Sequence, residues 1–373
     1  MGLISNFQHD RSRDIIARID LGKIKHNLSA LKEQSGGKPV WAVLKANAYG
    51  HGAVEIAESI KDRVYGFAVS TLDEALELRT AGLDNDILVL GGVKPEGWPI
   101  ASLLNLSIAL VSPDNLSELV LFLKSNQLKI HLKIDTGMGR LGFLKSDVSL
   151  HQESLKLMKN SIVGLMSHFS SADEPSRSFM DQQISAFHGI RATLRDFDIQ
   201  PSQIHFSNTD ALQHGAIDSE THTRPGLGLF GLSNHPQNIS LNPCLDLICN
   251  ILRVKSVPEG TAVGYGRTYI TSSPMQIVTL ACGYADGYLR AFGNHVSVSI
   301  EGNLYPVVGR VSMDFTTIAV PNNASVDITK PVYLISSDPN SPLSLRNLSH
   351  SAHVLPYEIT CGLQRRITRV YKD

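Results

Sequence analysis

The chain has 373 residues, a length typical of two or three domains. Lysine and arginine number 34 against 35 aspartate and glutamate residues, so the net charge is −1 and no basic excess is present to bind nucleic acid. The hydrophobic content of 42% is that of an ordinary globular protein and excludes an intrinsically disordered one.

The N-terminal stretch, residues 1–14, is polar and lacks the apolar run of a secretory signal. No apolar run approaches the ~20 residues that span a bilayer. The four cysteines contain no C-x-x-C pair, and no H-E-x-x-H motif occurs, so no metal site or disulfide framework is indicated. We therefore expect a cytoplasmic protein that binds neither a membrane nor a metal.

The first two thirds of the chain alternate short apolar runs with longer amphipathic ones, a pattern typical of repeated strand–helix units. Eight candidate strands over about 190 residues favour a closed (β/α)8 TIM-like barrel over a doubly wound sheet. The predicted strands are residues 40–45, 64–70, 86–92, 108–112, 130–135, 162–168, 204–208 and 221–226. The predicted helices between them are residues 53–61, 72–81, 115–126, 148–160 and 179–197.

After residue 241 the pattern changes to short apolar runs separated by turn signals such as Glu-Gly at 259–260 and 301–302. The predicted strands here are residues 249–257, 275–283, 295–300, 304–311 and 332–336, and the only predicted helix is 343–352. The expected architecture is α/β, with an N-terminal (β/α)8 TIM-like barrel over residues 1–240 and a mostly β C-terminal domain over residues 241–373.

Polar residues of catalytic type stand at or near the ends of several predicted strands: Lys45, Lys133, His168, Asn208 and Arg224. In a barrel these ends converge on one mouth, where active sites are built. Burying a lysine amine costs free energy unless the amine is paired or uncharged. Condensation with a carbonyl group removes the ammonium charge. The alternative for Lys45 is a side chain whose charged end simply reaches solvent.

Two segments match G-x-G-x-x-G, residues 137–142 and 226–231. Neither has the acidic residue and strand–helix–strand context of a dinucleotide fold. The second follows the eighth predicted strand, where barrels often bind phosphate through loop amides, so we interpret it as a phosphate cradle. No Walker-type P-loop occurs.

The segment 42–52, Ala-Val-Leu-Lys-Ala-Asn-Ala-Tyr-Gly-His-Gly, closely resembles the pyridoxal-phosphate-binding motif of alanine racemases. Other landmarks of that family recur in order at residues 132–142, 167–174, 224–226, 264–266, 283–288, 309–314 and 356–358. The resemblance extends from about residue 17 to the C-terminus. It implies pyridoxal 5'-phosphate as the cofactor and a homodimer with shared active sites.

The resemblance implies that Lys45 carries the cofactor as an internal aldimine and is one of two catalytic bases, while Tyr265 reaches across the dimer interface as the other. Arg224 would bond the pyridine nitrogen, and His168 would link Arg224 to Tyr265. Arg140 would bond the phenolic oxygen and, with the backbone N–H of Met313, the substrate carboxylate. Phosphate contacts are implied for Tyr49, Thr209, Gly226, Leu227 and Tyr357, and Asn208 is expected beside the cofactor. Lys133 is expected to be carbamylated, and Tyr284 to lie at the entrance.

Racemisation moves a proton off one face of the α-carbon and another onto the opposite face, which two opposed bases do with little movement. An arginine at the pyridine nitrogen stays protonated, so that nitrogen remains unprotonated and the ring is a weaker electron sink. Departures from the family pattern, namely Ser312, Phe315, Thr209 and residues 362–366, remove no reacting group but leave the substrate range open.

The function expected is the interconversion of L-alanine and D-alanine, supplying D-alanine for peptidoglycan. One alternative is a racemase of broad specificity that acts on serine, although such relatives are often exported. A barrel-type decarboxylase would not need Tyr265. A non-catalytic pyridoxal-phosphate carrier would resemble the barrel alone, without the long β domain.

Overall fold

The computed structural model describes residues 14–234 and 238–373, so the polar N-terminal stretch lies almost wholly outside the described residues. The strands are β1 (Ile15–Asp20), β2 (Trp41–Val43), β3 (Gly66–Val69), β4 (Asp86–Val89), β5 (Ser107–Leu110), β6 (Lys129–Lys133), β7 (Ile162–Met166), β8 (Gln203–His205), β9 (Leu245–Cys249), β10 (Ile251–Val257), β11 (Ala262–Val263), β12 (Tyr269–Ile270), β13 (Met275–Leu280), β14 (Ser297–Ile300), β15 (Asn303–Pro306), β16 (Thr316–Pro321), β17 (Val332–Ile335) and β18 (Thr368–Lys372).

The right-handed helices are Leu21–Gln34, Ala53–Ile60, Leu72–Thr80, Trp98–Leu103, Leu116–Leu123, Lys145–Leu150, Gln152–Leu157, Ser178–Asp196, Thr209–Gln213, Leu345–Ala352 and Pro356–Cys361. Short 3-10 turns occur at Lys61–Arg63, Pro95–Gly97, Leu227–Phe230, Tyr265–Arg267, Tyr284–Asp286 and Arg290–Phe292. The chain divides into two compact units. The first consists of Ile24–Ala48 and Gly52–Leu241, and the second of residues 14–23, Tyr49–His51 and Asn242–Asp373.

The first unit is built on a parallel sheet in which β2 to β8 follow one another in chain order. Strands such as β3 are buried along their whole length. This is the pattern of a parallel sheet that is covered on both faces, and it explains why these strands are continuous apolar runs rather than alternating ones.

An eighth segment, residues 221–225, closes this sheet into a barrel. On one side, the His222 N–H donates to Ile204 O (3.1 Å) and the Arg224 N–H to Ser207 O (2.8 Å). On the other side, the Trp41 N–H donates to Thr223 O (2.8 Å). The predicted eighth strand is therefore present as a hydrogen-bonded segment, although it forms only an isolated bridge, between Val40 and Thr223. Pro225 contributes to this irregularity because it has no N–H to donate.

The second unit is strand-rich. Its largest sheet has six strands in the order β15-β14-β17-β9-β1-β18, and β10, β13 and β16 form a separate sheet of three strands. In β1 the side chains of Ile15, Ala17 and Ile19 are buried and alternate with partly exposed residues, as expected for a strand with one face on a core. The predicted architecture, a TIM-like barrel followed by a mostly β domain, is confirmed.

The structure departs from the predicted pattern in several elements. The expectation that residues 1–240 form the barrel is wrong for residues 14–23, because β1 pairs antiparallel with β9 and parallel with β18 in the second unit. The predicted helix 148–160 is two short helices that meet at His151. The sequence analysis also missed β16, β18 and the helices Leu21–Gln34 and Pro356–Cys361. Over the described residues, no helix is both long and apolar enough to cross a membrane.

Candidate active site

Lys45 follows β2 at the barrel mouth and leads into a left-handed turn. Ala46, Asn47 and Ala48 each have a φ of 53°. A left-handed residue that carries a Cβ atom costs roughly 1–2 kcal/mol. Asn47 helps to close the turn, because its carbonyl accepts from the Gly52 N–H (3.0 Å) and its Oδ1 accepts from the Ala53 N–H (2.8 Å). Strained backbone of this kind is concentrated at functional sites, which supports a functional reading of the segment.

Arg224 lies inside the barrel, where it is 4% exposed. One guanidinium nitrogen donates to His205 Nδ1 (2.6 Å) and the other to Ser167 O (2.7 Å), so the side chain is held between two strand ends. Burial lowers the pKa of Arg224 to about 10, and the carboxylate of Glu220 opposes that shift. The guanidinium therefore stays protonated at neutral pH and can act only as a donor.

Behind Arg224, two buried imidazoles continue the hydrogen-bond chain. Because a guanidinium only donates, His205 Nδ1 must accept, and the proton of His205 is then on Nε2. His205 Nε2 lies 2.7 Å from His131 Nδ1, so this bond leaves the His131 proton on its own Nε2. Burial, with the nearby Arg224 charge, lowers the pKa of His131 to about 3 and that of His205 well below its ordinary value. Both imidazoles are neutral, and the chain fixes the orientation of Arg224.

The barrel mouth concentrates positive charge. Burial, then the charges of Arg224, Lys133, Arg140 and Lys45, lower the pKa of the half-buried His168 to about 3. Burial, then Arg224 and Arg140, lower the pKa of Lys133 to about 8, with Asp135 opposing the shift. The structure thus brings Lys45, Lys133, Arg140, His168 and Arg224 into one electrostatic neighbourhood. Such a neighbourhood attracts an anionic ligand.

The first G-x-G-x-x-G match is a loop organised by Asp135. The Asp135 carboxylate accepts from four backbone N–H groups, those of residues 137–140, at 2.9–3.1 Å. Partial burial raises the pKa of this carboxyl, but the four N–H groups outweigh burial and lower it overall. Gly142 has a φ of +130°, and a Cβ atom there would lie 2.6 Å from Asp135 N. The glycines therefore serve the loop that carries Arg140, not a dinucleotide.

The second match forms a cradle of amides where two short helical segments begin. Asn208 caps the helix Thr209–Gln213 by accepting from the Ala211 N–H (2.9 Å). Thr209 Oγ1 accepts from the N–H groups of Gly226 (3.2 Å) and Gly228 (2.9 Å). Gly226 precedes the 3-10 turn that starts at Leu227. These four predicted cofactor-binding residues, Asn208, Thr209, Gly226 and Leu227, are indeed neighbours.

The cradle also lies next to the start of the Lys45 turn. The Val43 N–H donates to Pro225 O (3.0 Å), so β2 and the segment before Gly226 run side by side. The sequence analysis missed Glu220, which is 3% exposed and accepts from Ser207 Oγ (2.5 Å) and from the Phe206 and Ser207 N–H groups. Glu220 therefore stabilises the segment after β8 that leads into Asn208. No sequence motif marks it, because its partners lie 13 and 14 residues away.

In the second unit, Tyr265 opens a 3-10 turn and is 71% exposed. Tyr284 and Met313 lie on adjoining turns, since the Tyr284 N–H donates to Ser312 O (3.0 Å) and the Ala285 N–H to Met313 O (2.9 Å).

Arg366 ties these turns together, because its Nε donates to Asp286 (2.7 Å) and its Nη2 to Asp314 (2.7 Å). Tyr284 and Met313 are both partly exposed, at 41% and 54%. Tyr284, the predicted entrance residue, is thus adjacent to Met313, one of the two predicted substrate-binding residues.

The loop Tyr49–His51 packs against the helix Pro356–Cys361, which carries Tyr357. Gly50 has a φ of +84°, and a Cβ atom there would lie 1.9 Å from Thr360 O, so only glycine fits. Arg369 Nε donates to Gly50 O (2.9 Å) and holds the loop from the other side. The two predicted phosphate-contacting tyrosines are therefore carried by packed segments.

A barrel whose mouth gathers cations around a strand-end lysine, beside an amide cradle, defines an enzyme that holds an anionic cofactor. Family models of the alanine racemase N-terminal and C-terminal domains match residues 19–234 and 244–371. The alanine racemase of Lactobacillus acidophilus is 36% identical over 378 residues, which cover 97% of this chain and 98% of the relative.

Solved structures agree. The alanine racemase of Streptomyces lavendulae gives a TM-score of 0.90 at 28% identity, over 96% of this chain and 97% of that chain. The enzyme of Bartonella henselae, solved with covalently bound pyridoxal phosphate, gives 0.88 at 26% identity, over 96% and 99%.

The chain belongs to the alanine racemase family. Enzymes of this family are racemases that depend on pyridoxal phosphate, so the chain is an isomerase and pyridoxal 5'-phosphate is its cofactor.

Proposed function

We propose that this enzyme interconverts L-alanine and D-alanine with Lys45 and Tyr265 as opposed bases, in a homodimer whose sites are shared between subunits. The observation that carries the proposal is the concentration of positive charge around Lys45 at the barrel mouth. We further propose that the enzyme supplies D-alanine for peptidoglycan in the cytoplasm.

The residues at the mouth fit pyridoxal phosphate. The cofactor brings a phosphate and a phenolic oxygen, and both are anionic partners for the cations that lower the pKa of His168 and Lys133. Thr209, Gly226 and Leu227, with Tyr49 and Tyr357, would hold the phosphate. Arg140 would hold the phenolic oxygen, and Asn208 would sit beside the ring. When bound, the cofactor withdraws electrons from the substrate α-carbon and makes its proton acidic.

Arg224 would donate to the pyridine nitrogen. Behind it, the neutral His205 accepts a hydrogen bond from Arg224, and the neutral His131 accepts one from His205. The pKa of about 10 keeps Arg224 charged at neutral pH. The ring nitrogen would therefore stay unprotonated and draw fewer electrons than a pyridinium. Weaker withdrawal favours return of the proton to the α-carbon over side reactions such as transamination.

Lys45 would remove or return a proton on one face of the α-carbon, and Tyr265 of the partner subunit on the other. Tyr265 is 71% exposed within its own chain, as expected for a side chain that a second subunit covers. His168 would sit beside Arg224 and hydrogen-bond Tyr265 of the partner subunit. Arg140 and the Met313 N–H would hold the substrate carboxylate, with Tyr284 at the entrance.

Lys133 is the proposed site of carbamylation. With a pKa of about 8, about one amine in ten is neutral at neutral pH, and only the neutral amine adds CO2. The addition forms a carbamate and releases a proton, so a negative charge replaces the positive charge of Lys133 near Arg224 and Arg140. That anion would pair with Arg140. Intact mass of the native protein in bicarbonate should show one added CO2, and the mass of Lys133→Ala should not.

The test of the function is a racemase assay on protein purified with pyridoxal phosphate. L-alanine is added, and D-alanine is followed by chiral chromatography beside a Lys45→Ala control. Formation of D-alanine by the wild type alone supports both the reaction and the lysine. Turnover of serine but not of alanine would favour the broad-specificity alternative, and bound cofactor that never responds to any amino acid would favour the carrier.

Subunit mixing tests the shared site. Lys45→Ala and Tyr265→Phe chains are each impaired alone, but a mixed dimer holds one site with both bases. Random exchange at equal concentrations should restore about one quarter of wild-type activity, because half of the dimers are mixed and each has one intact site. No recovery after proven exchange would refute the sharing of Tyr265 between subunits.

A further inference from the structure

The carboxylate of Glu74 joins the turns that follow two neighbouring barrel strands. Its Oε1 accepts from the Ala46 N–H (2.7 Å), and its Oε2 accepts from the N–H groups of Ser70 (2.6 Å) and Thr71 (3.2 Å). Ala46 is the residue directly after Lys45. One ionised side chain therefore connects the Lys45 turn after β2 to the turn after β3.

Helix capping explains only part of this arrangement. Glu74 is the third residue of the helix Leu72–Thr80, and it forms a capping box with Thr71, whose Oγ1 accepts from the Glu74 N–H (3.3 Å). A capping box needs the return bond from Glu74 to the backbone of the capping residue and nothing more. The bond to Ala46 reaches 28 residues back along the chain and does nothing for the helix.

The bond to Ala46 falls where the backbone is strained. Ala46 begins the left-handed run with a φ of 53°, a conformation that residues with a Cβ atom avoid. On the other side of Lys45, Leu44 is fully buried, and its N–H donates to Ala68 O (2.8 Å) in β3. Lys45 is therefore held between an anchored Leu44 and an Ala46 whose N–H is fixed by a charge-assisted hydrogen bond, the stronger kind.

We propose that Glu74 is a positioning residue for Lys45: its carboxylate holds the Ala46 amide in the left-handed turn and so aims the lysine amine into the barrel mouth. This inference rests on the proposed function of Lys45. Asn47 closes the far end of the same turn through its bonds to Gly52 and Ala53, and the Ala48 N–H donates to Leu44 O across Lys45 (2.8 Å). Glu74 holds the Ala46 N–H between these two closures.

Three variants separate positioning from helix capping. Glu74→Gln has a single acceptor oxygen and no charge, so it cannot serve both turns. Thr71→Ala removes the hydroxyl of the same capping box but leaves the Glu74–Ala46 bond in place. Glu77→Gln makes the same chemical change on an exposed position of the same helix, and it is the matched control.

The experiment follows covalent attachment of pyridoxal phosphate to Lys45, without any amino-acid substrate. Cofactor-free protein is mixed with pyridoxal phosphate, whose aldehyde condenses with a lysine amine and releases water. Borohydride then reduces the product, and peptide mass spectrometry measures the modified fraction of Lys45 over time. Thermal melting of the cofactor-free proteins is measured in parallel.

We expect Glu74→Gln to slow modification of Lys45 by about tenfold or more, the order associated with loss of a charge-assisted hydrogen bond. Thr71→Ala should melt earlier yet modify Lys45 at the wild-type rate, and Glu77→Gln should match the wild type in both. If Glu74→Gln and Thr71→Ala slow the modification equally, or if neither does, Glu74 is only a cap. If wild-type Lys45 itself is never modified, the proposed function fails instead.

Discussion

The buried His131 imidazole makes a measurable prediction about acid stability. It is fully buried, and burial with the charge of Arg224 lowers its pKa from 6.5 to about 3. At a pH below the pKa that His131 has in the unfolded chain, the unfolded chain binds a proton at this residue and the folded chain does not. Stability is therefore complete above about pH 6.5 and falls as pH drops toward 3, at about 1.4 kcal/mol per pH unit for this one group.

Between roughly pH 7 and pH 4.5 the loss from His131 alone is about 3 kcal/mol. His131→Asn is the variant of choice, because its Oδ1 can replace Nδ1 as acceptor for His205 while the side chain no longer titrates. Urea unfolding of the cofactor-free wild type and variant is measured at both pH values. The variant should be less stable at neutral pH, since it leaves a small cavity, but its loss on acidification should be about 3 kcal/mol smaller. If the two proteins lose the same unfolding free energy on acidification, His131 is not a neutral imidazole with a lowered pKa.

Three further predictions concern substitutions in the loops at the barrel mouth. Gly142→Ala should lower the unfolding free energy by more than about 2 kcal/mol, because φ is +130° and the new Cβ would meet Asp135 N. Gly139→Ala, with a φ of +69° but open space around it, should cost only about 1–2 kcal/mol in the same urea titration. Asp135→Asn should lower the melting temperature and loosen the Arg140 loop to proteolysis, since one amide oxygen cannot accept all four N–H bonds; an unchanged cleavage rate would contradict this. Thr209→Val should weaken binding of pyridoxal phosphate by about tenfold because two amides lose their acceptor, while Thr209→Ser should bind as the wild type does.

The barrel was predictable because its strands are mostly buried and so appear in the sequence as nearly continuous apolar runs, several of which end in a polar residue. Lys45, Lys133 and Arg224 were predicted as site residues in this way, because their positions at or near strand ends can be identified from the sequence alone. That Thr209 and Gly226 lie together was predictable for a similar reason, because a glycine pattern follows the last strand.

Other features depend on pairings that no local pattern records. β1 has a clear alternation of buried residues, but nothing in it tells that its partners are β9 and β18. Glu220 resembles any polar loop residue until folding places it beneath Ser207. The left-handed turn after Lys45 contains alanines, which give no sign of positive φ, and the carboxylate of Glu74, from another helix, is one of the groups that hold it.

The pairing of β1 has a consequence for how the protein is made. The antiparallel partner of β1, β9, is synthesised roughly 230 residues after it, which takes about 10–45 s at ordinary translation rates. Its second partner, β18, is synthesised later still. During that interval the buried face of β1, with Ile15 and Ile19, has no native partner, and an unpaired apolar strand invites pairing with other chains. The barrel can mature while synthesis continues, but the largest sheet of the strand-rich unit cannot be completed until β18 has been made.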